Sequence, residues 1–596
     1  MTEATTRVTR QSTRAATARA KTGASTTTGN TGVKKDAVAL SKENNGTSHS
    51  HTALDPLEFG VLESTDHLYA QQPPSKEELR PHEEDLPKYH VFLGTYISYL
   101  ILIIIGHIRD FWSKHLISSK SASGYSKALR PKNGYAPLMS DFDSFYTRRL
   151  KSRLNDCFAR PTTGVPGRFI TILDREPTSE DYSTFNYPGT TSQCLNLSSY
   201  NYLGFAQSVG QCTDAAEKAI LENGIIAGAP RAAGGTLDMH YETEQIVAEF
   251  VGKESAMLCS MGYATNANIF SNLVDKHCLV ISDELNHASI RFGVRVSGAV
   301  IKIFKHNDMD DLEQLIREQI SQGQPRTHRP WKKILIVVEG LYSMEGTMCN
   351  LPKLIELREK YKIYLFVDEA HSIGAMGPTG RGVCDFFNVS PASVDILMGT
   401  LTKSFGATGG YIAADRGVID RLKIHNMANC YAEAVTPPVL AQIQSSLLTI
   451  ANKINPGEGT ERLQRLSFNS RYLRLGLKKL GFIVYGAPDS PIIPVMLYQP
   501  SKMPAFSRAM LRQKIAVVVV GYPATPLTSS RVRYCVSSAL TKSDLDRLLR
   551  ATAEVGEDLN LKMSQEIDEK TGQLRREQLD DFLPTLVDDC RKTDWE

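Results

Sequence analysis

The chain has 596 residues, 41% of them hydrophobic, which is more than one compact core takes up, so a large domain, a smaller one and non-globular extensions are expected. Its 68 basic residues nearly balance 65 acidic ones, and a formal charge of +3 sets up no global field for nucleic acid or acidic partners. Ten cysteines without a Cys-x-x-Cys pair or a metal-like His/Cys spacing predict reduced thiols facing a cytosol, with no disulfides and no metal site.

Residues 1–60, including "GASTTTGNTG", are rich in Ser, Thr, Gly and Asn and poor in aromatics. Such a composition buries too little apolar surface to offset the entropy of ordering, so it predicts a disordered tail. Arg7, Arg10, Arg14 and Arg19 have the spacing of a transit peptide, but no apolar face recurs between them, which makes import the weaker reading.

Tyr89 to Ile108, "YHVFLGTYISYLILIIIGHI", is 20 positions without Asp, Glu, Lys or Arg. About 20 residues at 1.5 Å rise cross a bilayer's hydrocarbon core, so 89–108 is predicted as a transmembrane helix, the alternatives being a buried helix or one lying in the interface. Glu83, Glu84 and Asp85 precede it and Arg109, Lys114, Lys120, Lys127 and Arg130 follow, which puts the C-terminal side in the cytosol. If the segment spans, the N-terminal tail with its sequon at Asn45 is lumenal. Residues 109–165 then form a juxtamembrane segment.

From about Ser198 short apolar runs alternate with helix-length segments: "CLVIS", "ILIVVE", "IYLFVDE", "VDILMG", then "IIPVML" and "AVVVVG". The pattern predicts an α/β fold with a mostly parallel sheet flanked by helices, spanning 166–450, followed by a smaller α+β domain over 451–558 and a tail over 559–596. Helices are expected at Met309–Ile320, Leu351–Tyr361 and Ala264–Asn272.

Ligands of such sheets gather outside the carboxyl ends of the strands. "IYLFVDEAHS" drives a strand into Asp368, with His371 three residues on. A carboxylate there is costly unless a cation or donors receive it, though Asp as a helix cap is the plainer reading of this motif alone. "VDILMGTLTKS" ends another strand in Thr400 and Lys403. A lysine in a dry pocket of small residues loses basicity and can attack carbonyls to form a Schiff base, and Gly406, Gly409 and Gly410 let backbone approach a flat ligand. "MLCSMGYATN" places Ser260, Gly262 and Tyr263 ahead of a helix, where N–H groups and the helix dipole seat a phosphate. His287 in "SDELNHAS" and Ser343 in "VEGLYSMEG" mark two further strand ends.

A lysine for a Schiff base, an aspartate for a pyridinium nitrogen, a phosphate seat and a ring-stacking histidine describe one cofactor site. These motifs, with "GTLTKSFGATGGYI", closely resemble the α-oxoamine synthases, a group of fold-type-I pyridoxal-phosphate enzymes. "DELNHAS", "RPWKKIL", "GPTGRG" and "YPATP" narrow the resemblance to membrane-anchored, lysine-bearing subunits that condense L-serine with palmitoyl-CoA, and it runs from about Tyr200 to Val555. The resemblance implies pyridoxal 5'-phosphate on Lys403, which then moves the serine Cα proton. It also implies Asp368 at the pyridine nitrogen, His371 at the ring's 3-oxygen with Ser343 nearby, His287 stacked on the ring, and Gly262, Tyr263 and Thr400 on the phosphate. Arg533 of "RVRYCV" matches the family's substrate-carboxylate arginine, with Arg531 on the same face as fallback. As partners it implies a homologous subunit without the lysine, in a heterodimer, together with small activating subunits, membrane regulators and the endoplasmic reticulum membrane. Two stretches depart from the family pattern: "GAPRAAGG", Gly228 to Gly235, and Ser538-Ala539-Leu540 after the arginine strand. The rival readings are another α-oxoamine synthase using a short acyl-CoA, and a non-catalytic scaffold that has kept the fold.

Overall fold

The charge-poor run forms a single helix, α1, Tyr89–His115, of 27 residues, about 40 Å at 1.5 Å per residue. Its stretch Tyr89–Trp112 is long and apolar enough to cross a membrane. In this computed structural model residues 54–74, 85–115, 133–137, 145, 155–178, 184–567 and 574–592 are described. The sequon at Asn45 and the four basic residues of the N-terminus lie outside them. On one side of α1, Thr95 and Tyr99 are buried and Phe92 meets Tyr498 edge-on at 5.6 Å. On the other, Leu93, Ile97, Leu100, Ile101 and Ile104 are about half exposed.

The expected boundary of the disordered tail at residue 60 is corrected, because residues 54–71 are packed. Leu54 and Phe59 are buried with Ala539, and Gln71 is 4% exposed. The buried side chains of Leu54, Phe59 and Leu62 and a row of arginine contacts hold this segment. These residues precede α1 and rest on the unit that follows it.

The central sheet has seven strands: β1 Ser255–Cys259, β2 Leu279–Asp283, β3 Val300–Phe304, β4 Ile334–Glu339, β5 Tyr364–Asp368, β6 Ile396–Thr400 and β7 Gly410–Ala414. Their spatial order is β1-β7-β6-β5-β4-β2-β3, and β7 alone runs antiparallel to its neighbours. The central strands are near-continuous apolar runs because both faces are covered. Ile336, Val338 and Val367 enter one core, and Leu335, Val337 and Phe366 the other. The edge strand β3, where Ile301 and Ile303 are exposed, has no such signature in the sequence. The predicted helices form as Met309–Gln322 and Leu351–Tyr361, with Asp308 and Asn350 as N-caps, and as Gly262–Leu273 (α2); Ala288–Ser297 is α3.

The C-terminal part holds α4, Glu458–Lys479, and the strands β8 Ile492–Tyr498, β9 Val518–Val520 and β10 Ser530–Cys535, in the antiparallel order β8-β10-β9. Two expectations shift here. "AVVVVG" is not one strand: Ile515–Ala516 pairs with Leu195–Asn196, while Val518–Val520 pairs with Arg531–Arg533. The first pairing also ties 169–173 and 191–196 into a sheet with 515–516, so residues expected in the 166–450 domain share a sheet with the part expected as 451–558. Arg462, Arg465, Arg471 and Arg474 along α4 are all buried, matched by Glu458, Glu461, Asp489 and backbone carbonyls.

Candidate active site

The chemistry-bearing residues sit where β1, β4, β5 and β6 end. β5 terminates in Asp368, 2% exposed. Its Oδ2 accepts from Asn266 Nδ2 at 2.6 Å and its Oδ1 from the Ala370 N–H at 2.9 Å. Burial raises its pKa, opposed first by the Asn266 bond and then by the Ala370 N–H, Lys403 and His287.

Lys403 lies three residues past the end of β6, its Nζ 3.4 Å from Thr400 Oγ1 and 5.9 Å from the Tyr200 ring centroid. Burial lowers its pKa to about 8, against the pull of Asp368 and Glu339, and Arg533 lowers it further. A lysine in that range is part-neutral at physiological pH and can act as nucleophile or base. Thr400 Oγ1 in turn donates to Ala370 O at 3.3 Å, which ties the β6 end to the β5 end.

His371 is buried, and burial followed by Lys403 and Arg533 holds its pKa well below the usual imidazole range. Its Nδ1 is 2.8 Å from Tyr202 OH, whose own pKa burial pushes well up. A phenol that stays protonated donates, so the neutral imidazole accepts at Nδ1 and carries its proton on Nε2. His287 caps α3, with Nδ1 2.7 Å from Ser289 Oγ and its backbone N–H donating to Glu339 Oε1 at 2.5 Å. Burial lowers its pKa although the residue is surface-exposed in the lone chain; the nearby Asp368 charge opposes the shift.

The expected phosphate seat lies at the start of α2. Its N-cap, Met261, offers no side-chain cap, so the first-turn N–H groups around Gly262 and Tyr263 have no intrahelical acceptor. A Cβ on Gly262 would stand 3.0 Å from Thr400 Cγ2 and 3.4 Å from Gly409 O. The cradle thus closes around Gly262, Thr400 and Gly409 only because residue 262 is glycine. First-turn amides after β1, a hydroxyl and a part-neutral lysine after β6 and a buried carboxylate at the end of β5 fit pyridoxal phosphate.

On the far wall the two arginines separate. Arg533 Nη1 donates to Ser343 O at 3.1 Å, and its guanidinium lies 4.8 Å over the Tyr200 ring. Arg531 is already engaged: Nη1 donates to Met344 O at 2.9 Å and lies 3.4 Å from Glu345 Oε1, and Nε donates to Ser529 O at 2.9 Å. Ser343 therefore contributes its carbonyl to fixing Arg533. Of the two departures, Arg231 forms an ion pair with Glu244 at 2.8 Å, and Leu540 is buried in the core. Four residues that no motif pointed to belong to the site: Asn266, Glu339, Tyr200 and Tyr202. Asn266, one helical turn beyond Tyr263 on α2, was the one with a readable signal.

Residues 192–551 match the aminotransferase class I and II family. The chain is 63% identical to serine palmitoyltransferase 2 of Kluyveromyces lactis over 85% of its own length and 89% of that protein's. It is 58% identical to serine palmitoyltransferase 2 of Saccharomyces cerevisiae, over 90% of this chain and 94% of the relative. Among solved structures it is similar to one of SPT with PLP internal aldimine, at 28% identity and a TM-score of 0.62, covering 71% of this chain and 99% of that one.

Proposed function

The chain belongs to the serine palmitoyltransferase 2 family, within aminotransferase class I and II, and on that premise we propose that it is the pyridoxal-phosphate-bearing catalytic subunit of a serine palmitoyltransferase. It condenses L-serine with palmitoyl-CoA, releasing CO2 and CoA to give 3-ketodihydrosphingosine. The observation that carries the reading is Lys403, lowered to about 8, converging with Asp368, His371 and the Gly262 cradle at one end of the sheet.

Pyridoxal phosphate, when bound, supplies an electron sink for the charge left by proton loss and decarboxylation at the serine Cα. The chain supplies position and proton transfer. Lys403 Nζ holds the cofactor and then takes the Cα proton, a role its lowered basicity suits. Asp368, fixed by Asn266 and Ala370 N–H, keeps a proton at the pyridine nitrogen. His371 offers its Nε2–H to the ring 3-oxygen because Tyr202 occupies Nδ1. His287 would stack on the ring, and the first turn of α2 with Thr400 would bind the phosphate. Arg533 receives the serine carboxylate, and Arg531 is the fallback for that role.

Membrane association through α1 is supported by its half-exposed apolar face, and we assign the endoplasmic reticulum with the catalytic unit cytosolic. A heterodimer with a lysine-less homologous subunit is supported by the apolar side chains left exposed beside the site, Met261, Tyr263, Phe292, Met427 and Tyr431. Product analysis of the co-expressed pair with serine and a ladder of acyl-CoA lengths tests the function. Long-chain 3-ketones are expected, and condensation of short acyl-CoA alone would replace the reading with another α-oxoamine synthase.

A further inference from the structure

The segment ahead of α1 has no place in the chemistry above, yet it is fastened to the catalytic unit at five points. Phe59 lies under the Arg462 guanidinium at 4.4 Å and fills the space in front of Gly204, where a Cβ would come within 2.7 Å of its ring. Arg465 Nη1 donates to Phe59 O at 3.1 Å. The His67 ring stacks on Phe468 at 5.3 Å, and the Tyr69 ring faces the Arg471 guanidinium at 4.4 Å while its N–H donates to Gln464 O at 3.1 Å. Residues 54–69 are thus laid across α4 largely by its arginines.

The strap ends in Gln71, which reaches a loop about three hundred positions away. Its Nε2 donates to Ala375 O at 3.3 Å and its Oε1 accepts from the Gly377 N–H at 2.6 Å. Both backbone groups are buried, and Gln71 satisfies them as a pair. The same loop is held from the inside by the catalytic strand ends. Ser404, next to Lys403, donates its hydroxyl to Ile373 O at 2.8 Å. Glu369, next to Asp368, accepts from Ser372 Oγ at 2.5 Å and from the Val383 N–H at 3.1 Å. A Cβ on Gly374 would stand 2.5 Å from Ser404 Cβ, so the loop and the lysine's neighbour are in contact with no slack. His371 opens the loop.

We propose that residues 54–71 are a strap that supports the active site, and that Gln71 is a positioning residue. By clamping Ala375 and Gly377 it fixes the 371–383 loop, and through the Ile373–Ser404 bond it sets the placement of Lys403 and His371. The proposal rests on the functional reading above, because the placement matters only where Lys403 and His371 carry chemistry.

The test uses full-length protein co-expressed with its partner and loaded with pyridoxal phosphate. Gln71→Ala removes both bonds, Gln71→Glu keeps the acceptor for Gly377 and loses the donor to Ala375, and Gln72→Ala, at an exposed neighbour, is the control. Gln71→Ala is expected to lower kcat roughly tenfold or more with KM for serine changed by less than about twofold, the scale set by losing two buried hydrogen bonds. It should also shift the visible circular dichroism of the lysine-bound cofactor and speed hydrogen exchange at the Gly377 amide. Gln71→Glu should fall between Gln71→Ala and the unaltered protein, and decides the matter if Gln71→Ala does not fold. Faster exchange at Gly377 with unchanged kcat and dichroism would overturn the proposal and leave the strap a purely structural element. Unaltered protein that binds no pyridoxal phosphate would overturn the functional reading instead.

Discussion

Asn266 Nδ2 stands 2.6 Å from Asp368 Oδ2, joining α2, whose first turn is the proposed phosphate seat, to the strand end proposed to face the pyridine nitrogen. In that reading one amide couples the two ends of the cofactor. Asn266→Leu removes a hydrogen bond to a buried carboxylate, worth about 1.5–3 kcal/mol, so cofactor affinity should fall roughly 10- to 100-fold. Equilibrium titration of stripped protein with pyridoxal phosphate checks this; unchanged affinity would mean that Asn266 is incidental.

Tyr202 fixes the proton of His371 on Nε2 by occupying Nδ1. Tyr202→Phe leaves the ring volume and removes the donor, freeing the imidazole to take the other tautomer. Activity should drop about 3- to 10-fold, in line with one neutral hydrogen bond. The absorption band of the bound cofactor should become more sensitive to pH, read by spectrophotometric titration.

The lowered pKa of Lys403, about 8, sets the pH dependence of cofactor capture. Capture requires the neutral amine, and the amine protonates as pH falls through about 8, so at pH 7 roughly one molecule in ten is competent. The capture rate by stripped protein should rise about tenfold from pH 7 toward a plateau above 9, where an ordinary lysine would still be rising past 10. Lys403→Ala should remain folded, with no borohydride-reducible adduct and activity lower by roughly 10²- to 10⁴-fold.

Arg533 and Arg531 are two residues apart on β10 but differ in what they are free to do. Arg533→Ala should raise KM for serine about 10-fold or more with little change in melting temperature, since a charge-assisted carboxylate contact is lost. Arg531→Ala breaks the buried pair with Glu345, whose two side chains are 3% and 13% exposed, and should cost about 3–5 kcal/mol of stability. Serine kinetics paired with thermal melts separates the two; the reverse pattern would exchange their roles.

The strap also gives a topology. Because residues 54–71 pack on the catalytic unit, a protease-sensitive tag inserted just before residue 54 should be cut in sealed microsomes along with that unit. Protection of the tag would restore the lumenal placement expected from the charge bias around α1.

The sequence by itself determined the mostly parallel sheet, the strand-end positions of Asp368, Thr400 and Lys403, and the cofactor, because apolar runs that stop at a chemical residue are local patterns. Burial on both faces forces such runs to be continuous, so β4, β5 and β6 were legible. The edge strand β3 was not, since one of its faces meets solvent. Nor could a local pattern show that "AVVVVG" divides between two sheets, because strand pairing is chosen by partners distant in the chain. The same limit hid Asn266, Tyr202 and Gln71, whose partners lie 102, 169 and about three hundred residues away. Alternation puts Arg531 and Arg533 on one face, and only the fold shows that Arg531 is tied down by the carbonyls of Met344 and Ser529 and by Glu345. Residues 54–60 fell inside the expected disordered tail because the composition of 1–60 as a whole is polar, whereas their packing comes from Leu54 and Phe59 against Ala539 and the arginines of α4, partners far away in the chain.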